Sequence, residues 1–201
     1  MDKEILEKEQ KELERIQKII ELELNKINEI VNLRENSIQD TLHYANEDRY
    51  QIDKGEFEHI FNTIYDKDVS IDRLLKEKQM YTRIKPKPFF AKLTIKDTDS
   101  NIKSYYIGLK NIEQEKQQIV VDWRAPISSL LYFSSLGKTS FIAPIGEIQV
   151  ELLLKRQFRL EPNKIISYID TNTKIDDGIL QEILSKNTSS FMTNIVQSIQ
   201  E

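Results

Sequence analysis

Residues 80–95 read MYTRIKPKPFFAKLTI, and the character of the chain changes inside them. Met80 and Tyr81 close a series of apolar positions at helical spacing. Lys85-Pro86-Lys87-Pro88 then ends the helix, because each proline removes a backbone donor and constrains the residue before it. Beyond the prolines, FFAKLTI (89–95) is the first of several short β-branched and aromatic runs. A domain boundary is expected here, with 1–85 as a helical hairpin arm and 86–201 as a β-rich domain with terminal helices.

Upstream, residues 1–34 contain no Gly or Pro, and Leu6, Leu13, Ile20 and Ile27 recur at intervals of seven. Ile16, Leu24, Ile30 and Val31 widen that line into a stripe, which predicts one long helix in need of a partner. Residues 35–55, ENSIQDTLHYANEDRYQIDKG, break the pattern and are expected to form the turning region of a hairpin. Helical spacing resumes with Phe57, Ile60, Phe61 and Ile64 on one face. After a polar break at Asp66–Asp68 it continues through Ile71, Leu74, Leu75, Met80 and Tyr81. Residues 56–84 are thus expected to run back antiparallel along the first helix, an intermolecular coiled coil being the alternative.

Downstream, SYYIGL (104–109), QIVVDW (118–123), SSLLYF (128–133), TSFIAP (139–144), EIQVELLLKRQFRL (147–160) and IISYI (165–169) read as strands. Turn signals at 97–101, 136–138 and 161–164 separate them, as in an antiparallel meander or small barrel. Asp176-Asp177-Gly178 starts a helix bearing Leu180, Ile183 and Leu184, and Met192, Ile195, Val196 and Ile199 lie at helical spacing near the end. The expected class is α+β: a long N-terminal antiparallel helical hairpin (coiled coil), then a small, mostly antiparallel β domain with C-terminal helices.

Composition narrows the chemistry. The 201 residues include 29 basic and 33 acidic side chains, a formal net charge of −4. The charged fraction of 31% exceeds the roughly 25% of an average globular domain, as long solvated helices do. There is no cysteine, which excludes disulfides, thiolate nucleophiles and thiolate zinc sites. His43 and His59 are the only imidazoles, so a His-rich metal site is excluded too. No stretch approaches the ~18 apolar residues of a membrane span. The charged start, MDKEILEKEQ, is no signal peptide, and a cytoplasmic location is expected. Residues 35–72 carry ten acids against three bases, the wrong sign for a duplex-binding surface.

Four constellations could carry chemistry. Leu136-Gly137-Lys138-Thr139-Ser140 ends like a phosphate-binding loop, but that loop needs a glycine where Tyr132 stands, and a hairpin turn is expected instead. Asp122-Trp123-Arg124-Ala125-Pro126 places a carboxylate, an indole and a guanidinium after an apolar strand. It could bind a ligand or a protein loop, or form a structural Asp–Arg pair at a strand end. Lys155-Arg156-Gln157 reads as a solvated face, and Tyr105-Tyr106 as one ring inside and one outside. Asp40, Glu47, Asp48, Asp53, Glu56 and Glu58 cluster around the hairpin turn. They could share an Mg²⁺, reach a basic pocket, or simply keep the turn soluble. No Ser/His/Asp set is assembled.

In their order, KPFFAKLTI, SYYIGL, IVVDWRAPISSLLY, LLLKRQF and IDDGILQEILSKNTSSFMTNIVQSIQ resemble the N-terminal portion of HelD-type proteins. These are bacterial helicase-like superfamily-1 (UvrD/Rep-like) ATPases that bind RNA polymerase. The resemblance covers 86–201 by letter and the preceding hairpin in character. It implies that the hairpin is an arm entering the secondary channel of RNA polymerase, as Gre-type cleavage factors do, and that the parent protein releases polymerase from nucleic acid for recycling. The acidic tip suits a channel with basic walls. Residues 86–201 would be the start of the helicase-like 1A domain, stopping before the phosphate-binding loop. ATP and Mg²⁺ are therefore implied for the full-length parent, and no cofactor, metal or catalytic residue is expected in this chain. The partner expected is bacterial RNA polymerase core, with nucleic acid bound mainly through missing domains, no membrane, and a monomeric state. The alternative is an accessory N-terminal region of a superfamily-1 DNA helicase that contacts DNA.

Overall fold

The computed structural model describes residues 2–47 and 53–171. The expected terminal helices beyond Asp176, and Asp48 of the turn, lie outside the described residues. The chain divides into two compact units: the residues through Ile16 belong with those from Pro86 onward, and Gln17–Lys85 form the second. The prolines mark one edge of this division. Its other edge falls inside a helix, where no change of composition announces it.

The second unit is an antiparallel pair of helices. Helix α1 spans Lys3–Glu47 and α2 spans Lys54–Ile84. α1 therefore continues well past the expected stop at residue 34. Residues 35–47 hold no Gly or Pro, and the Thr41 hydroxyl bonds back to the Ser37 carbonyl without breaking the helix. The polar break expected at Asp66–Asp68 is likewise spanned by continuous helix. Asp53 starts α2: its backbone is extended and its Oδ1 accepts from the Glu56 amide at 2.8 Å. Partners descend along α2 as they ascend along α1. Gln17 bonds the Lys85 carbonyl, Arg34 the Ser70 hydroxyl, Lys67 the Ser37 hydroxyl, and Tyr44 the Glu56 carboxylate.

The packing seam changes chemistry along its length. Near Gln17 and Lys85 it is apolar, with Ile20, Ile27 and Val31 of α1 and Ile71, Tyr81 and Ile84 of α2 all buried. Toward the turn it becomes polar, through Arg34–Ser70 at 2.6 Å and Lys67–Ser37 at 2.7 Å. Ile60 is the buried apolar residue of the distal part. Phe57 and Phe61, expected on the seam with it, are 62% and 61% exposed. Successive positions at 3.6 residues per turn cannot all face one partner. The narrower line through buried Ile60, half-buried Ile64 and buried Ile71 is the one turned inward.

The first unit is built on a seven-stranded sheet. Its strands are β1 Ala91–Lys96, β2 Ile102–Gly108, β3 Ile112–Gln114, β4 Gln117–Asp122, β5 Gly137–Ala143, β6 Gly146–Glu161 and β7 Lys164–Asp170. Their order is β3-β4-β2-β1-β6-β5, and β7 also pairs with β6. All pairs are antiparallel except β2 with β4. At that parallel junction only glycine fits at 108, because an added Cβ would lie 2.2 Å from the Pro88 carbonyl oxygen. SSLLYF, expected as a strand, is instead a 3₁₀ turn at Pro126–Ser128 running into helix α3, Ser129–Phe133. Pro126 fits the start of this helical turn, and Leu130 and Leu131 of α3 are both fully buried against the sheet. The expected hairpin turn at Leu136–Ser140 is not formed: Leu136 ends the link from α3, and Gly137–Ser140 already lie in β5.

Both faces of the sheet are covered. One packs Ala91, Leu93, Ile95, Ile107, Val121, Val150 and Leu152 with Leu130 and Leu131 of α3. Burying each large aliphatic contributes about 1.5–3 kcal/mol relative to exposure. The opposite face carries Phe89, Tyr106 and Phe158, whose ring centroids lie 4.4–6.3 Å apart. On β6 the face assignment changes midway. Ile95 pairs with Leu152 and Thr94 with Leu154, so Leu153 has no opposite number on β1. Before this bulge Val150 and Leu152 join the aliphatic face; after it Arg156 and Phe158 point to the aromatic one.

Candidate functional site

The aromatic face holds a polar constellation that sequence periodicity does not anticipate. Glu9, on the first turns of α1, is 2% exposed. Its carboxylate accepts from Lys92 Nζ at 2.9 Å, the Tyr106 hydroxyl at 2.6 Å and Arg156 Nη1 at 3.0 Å. Arg156 also grips Asp170 with two bonds of 2.6 and 2.8 Å, and its guanidinium lies 4.4 Å from the centre of the Tyr168 ring. Asp170 and then Glu9 hold the guanidinium in its charged form against the opposing effect of burial. Burial, followed by the bond to Glu9, pushes the Tyr106 phenol upward, so it remains a proton donor.

Neighbouring bonds complete the attachment of this segment. Gln10 Oε1 accepts from the Ile165 amide at 2.9 Å, Gln10 Nε2 reaches the Asn163 carbonyl at 3.2 Å, and Arg15 reaches Gln114 at 2.8 Å. The charged and phenolic groups of the cluster are all engaged by protein partners, which makes it an anchor for the start of α1 rather than a reaction centre. One signal of it is present in the sequence. Glu9 stands on the same helical stripe as Leu13, Ile16 and Ile20, where a carboxylate needs an explanation.

Lys155, Arg156 and Gln157 are therefore buried, not the solvated face expected of them. Lys155 is wholly buried and donates to the Ser134 carbonyl at 2.7 Å, just past the end of α3. Burial lowers its ammonium below the ordinary lysine value. The run of three leucines at 152–154 is where alternation fails and the bulge enters.

Asp122-Trp123-Arg124 is a locked turn. Asp122 Oδ1 accepts from the Arg124 amide and Nε, both at 2.9 Å, and Oδ2 accepts from Nη2 at 2.7 Å. Burial works against the carboxylate, yet the Arg124 bonds prevail and hold it below the ordinary aspartate range. The Asp122 carbonyl accepts from the Ala125 amide and the Ser128 hydroxyl. Trp123 packs on the aliphatic core, and Pro126 opens the 3₁₀ turn. The cluster ties the end of β4 to α3. Of the adjacent tyrosines, Tyr106 faces the Glu9 cluster while Tyr105 packs against the aliphatic core, so each sheet face takes one ring.

The described acids of the hairpin turn do not converge. Asp53 is committed to capping α2, and Glu56 accepts from the Tyr44 hydroxyl at 2.7 Å. Asp40 and Glu58 are exposed, while the backbone of Glu47 closes α1. Among the described residues no group of three or more His, Asp or Glu could hold a metal ion. Beside these acids lies an open groove of about 500 Å³ lined by Leu42, Ala45, Phe57, Ile60, Phe61 and Ile64, among others. No helix among the described residues is long and apolar enough to cross a membrane.

Against known protein families, the one described as DNA helicase IV HelD, N-terminal domain, matches residues 6–183. No curated protein matches the chain.

Proposed function

The chain belongs to the HelD N-terminal domain family, and from that premise we propose that it is the polymerase-binding region of a HelD-like ATPase. Its hairpin enters the secondary channel of bacterial RNA polymerase, and the ATPase as a whole frees polymerase from nucleic acid for reuse. ATP and Mg²⁺ belong to the parent protein in this reading. The observation that carries it is the acidic, solvent-facing end of an antiparallel two-helix arm. Residues 35–72 carry ten acids against three bases, with Asp40, Asp53, Glu56 and Glu58 all exposed. Such a surface is drawn to basic protein walls and repelled by phosphate.

Gel filtration of the chain with bacterial core RNA polymerase at moderate salt tests the reading. Co-elution is expected, and reversing Asp40 and Glu58 to Lys should weaken it. Asp53 is left in place because its loss would fray α2. A folded chain that never co-elutes would overturn the proposal. The family description favours a second reading, a DNA contact within a helicase. Affinity for duplex DNA that falls steeply with salt, without polymerase binding, would select it.

A further inference from the structure

Phe57, Phe61 and Tyr65 are 62%, 61% and 60% exposed, three large rings in a row on α2. Spaced four apart, they form a ridge on one side of the helix about 12 Å long. Single exposed apolar side chains are ordinary, but a contiguous row of rings marks a contact surface. Aromatic anchors are also the side chains that dominate binding energy. The seam of the hairpin does not need them, since Ile60 and Ile64 already occupy that line.

Charge decides which occupant fits. Glu58 and Asp66, next in sequence to Phe57 and Tyr65, are exposed beside the ridge. A second copy would bring one acidic segment against another, and like charges in contact disfavour pairing. Nucleic acid is repelled for the same reason. We infer that the Phe57–Phe61–Tyr65 ridge docks into an apolar groove rimmed by Lys and Arg on the partner protein. The inference rests on the polymerase-binding reading and assigns affinity to the rings and orientation to the flanking acids.

The test uses the whole chain and bacterial core RNA polymerase, with affinity read by fluorescence anisotropy and helicity by circular dichroism. Replacing all three rings by Ala should leave helicity unchanged and weaken binding by about tenfold or more. Phe61→Leu, which keeps an apolar side chain, should cost about threefold or less. Glu58→Lys with Asp66→Lys should slow association and flatten its salt dependence. If the triple variant loses helicity, Phe61→Ser alone supplies the same reading at smaller amplitude.

Wild-type binding that survives the triple replacement would overturn the ridge inference and leave the polymerase reading intact. Absence of wild-type binding would overturn both. A wild-type dimer in sedimentation that the ring replacements dissolve would also overturn it, by making a second copy the occupant.

Discussion

In the sheet unit a carboxylate, a guanidinium and a phenol are buried beside a half-buried lysine, whereas in the helical hairpin three aromatic rings stand about 60% exposed. Each arrangement reverses the usual sorting of side chains, and the two reversals have different physical meanings. Buried charge is tolerated only with complete pairing, so the Glu9 cluster has value as a specific lock and little as net stabilisation. Exposed rings cost little in the free protein and are rewarded only when something covers them. The first reversal serves folding, the second serves binding.

The sharpest way to break this contrast is to remove one partner from the lock. Glu9→Ala leaves Arg156 and Lys92 facing a hole, and should cost about 3–5 kcal/mol in chemical denaturation. A loss under about 1 kcal/mol would mean that the cluster is solvated and not a lock. Within the hairpin the same logic separates seam from ridge. Ile27→Ala should destabilise by about 2–4 kcal/mol, because Ile27 is only 5% exposed. Phe61→Ala should change stability by no more than about 0.5 kcal/mol despite the larger side chain. Equal losses at the two positions would show that the rings are packed and the contrast is false.

The polar part of the seam should respond between these limits. Lys67→Ala removes the bond to Ser37 and should cost about 0.5–1.5 kcal/mol. The smallest effect is one of pH. The Asp122 carboxyl lies below its ordinary value of 3.8 in the folded chain. Its stabilisation is therefore complete above that value and is lost as pH falls through the lower folded one. Thermal melts of Asp122→Asn and the parent should differ at neutral pH and converge under strongly acid conditions. A gap that persists there would assign the turn to packing of Trp123 instead.

How much of this is legible in the sequence follows from which interactions are local. The two long helices, six of the seven strands among the described residues and the break at the prolines follow from periodicity and turn residues, all short-range signals. β3 spans only three residues, too few for any period to register. SSLLYF misleads because apolar and aromatic neighbours suggest strand, while Pro126 starts a helical turn and tertiary burial of Leu130 and Leu131 completes it. The Asp122–Arg124 pair lies two residues apart and is within reach of local spacing as one of two readings. The Glu9–Arg156 bond joins residues 147 apart in the chain. Spacing cannot show it, although a carboxylate on an apolar stripe and a triple leucine on a strand each hint at one half. Periodicity puts Phe57 and Phe61 on the seam because it equates hydrophobicity with burial, and that fails where a surface awaits a partner.

The unpaired Leu153 on β6 has a consequence for how this chain can change length. A strand keeps count in twos, and Leu153 is the one residue of that stretch that the count against β1 leaves out. Deleting it would join Leu152 to Leu154 as an unbroken ladder, with every later side chain still at its present address. Deleting Gln157 instead would hand its place beside Ala91 to Phe158 and carry an aromatic ring to the wrong side of the sheet. A single-codon loss is therefore nearly silent at exposed Leu153 and disruptive four positions later at buried Gln157.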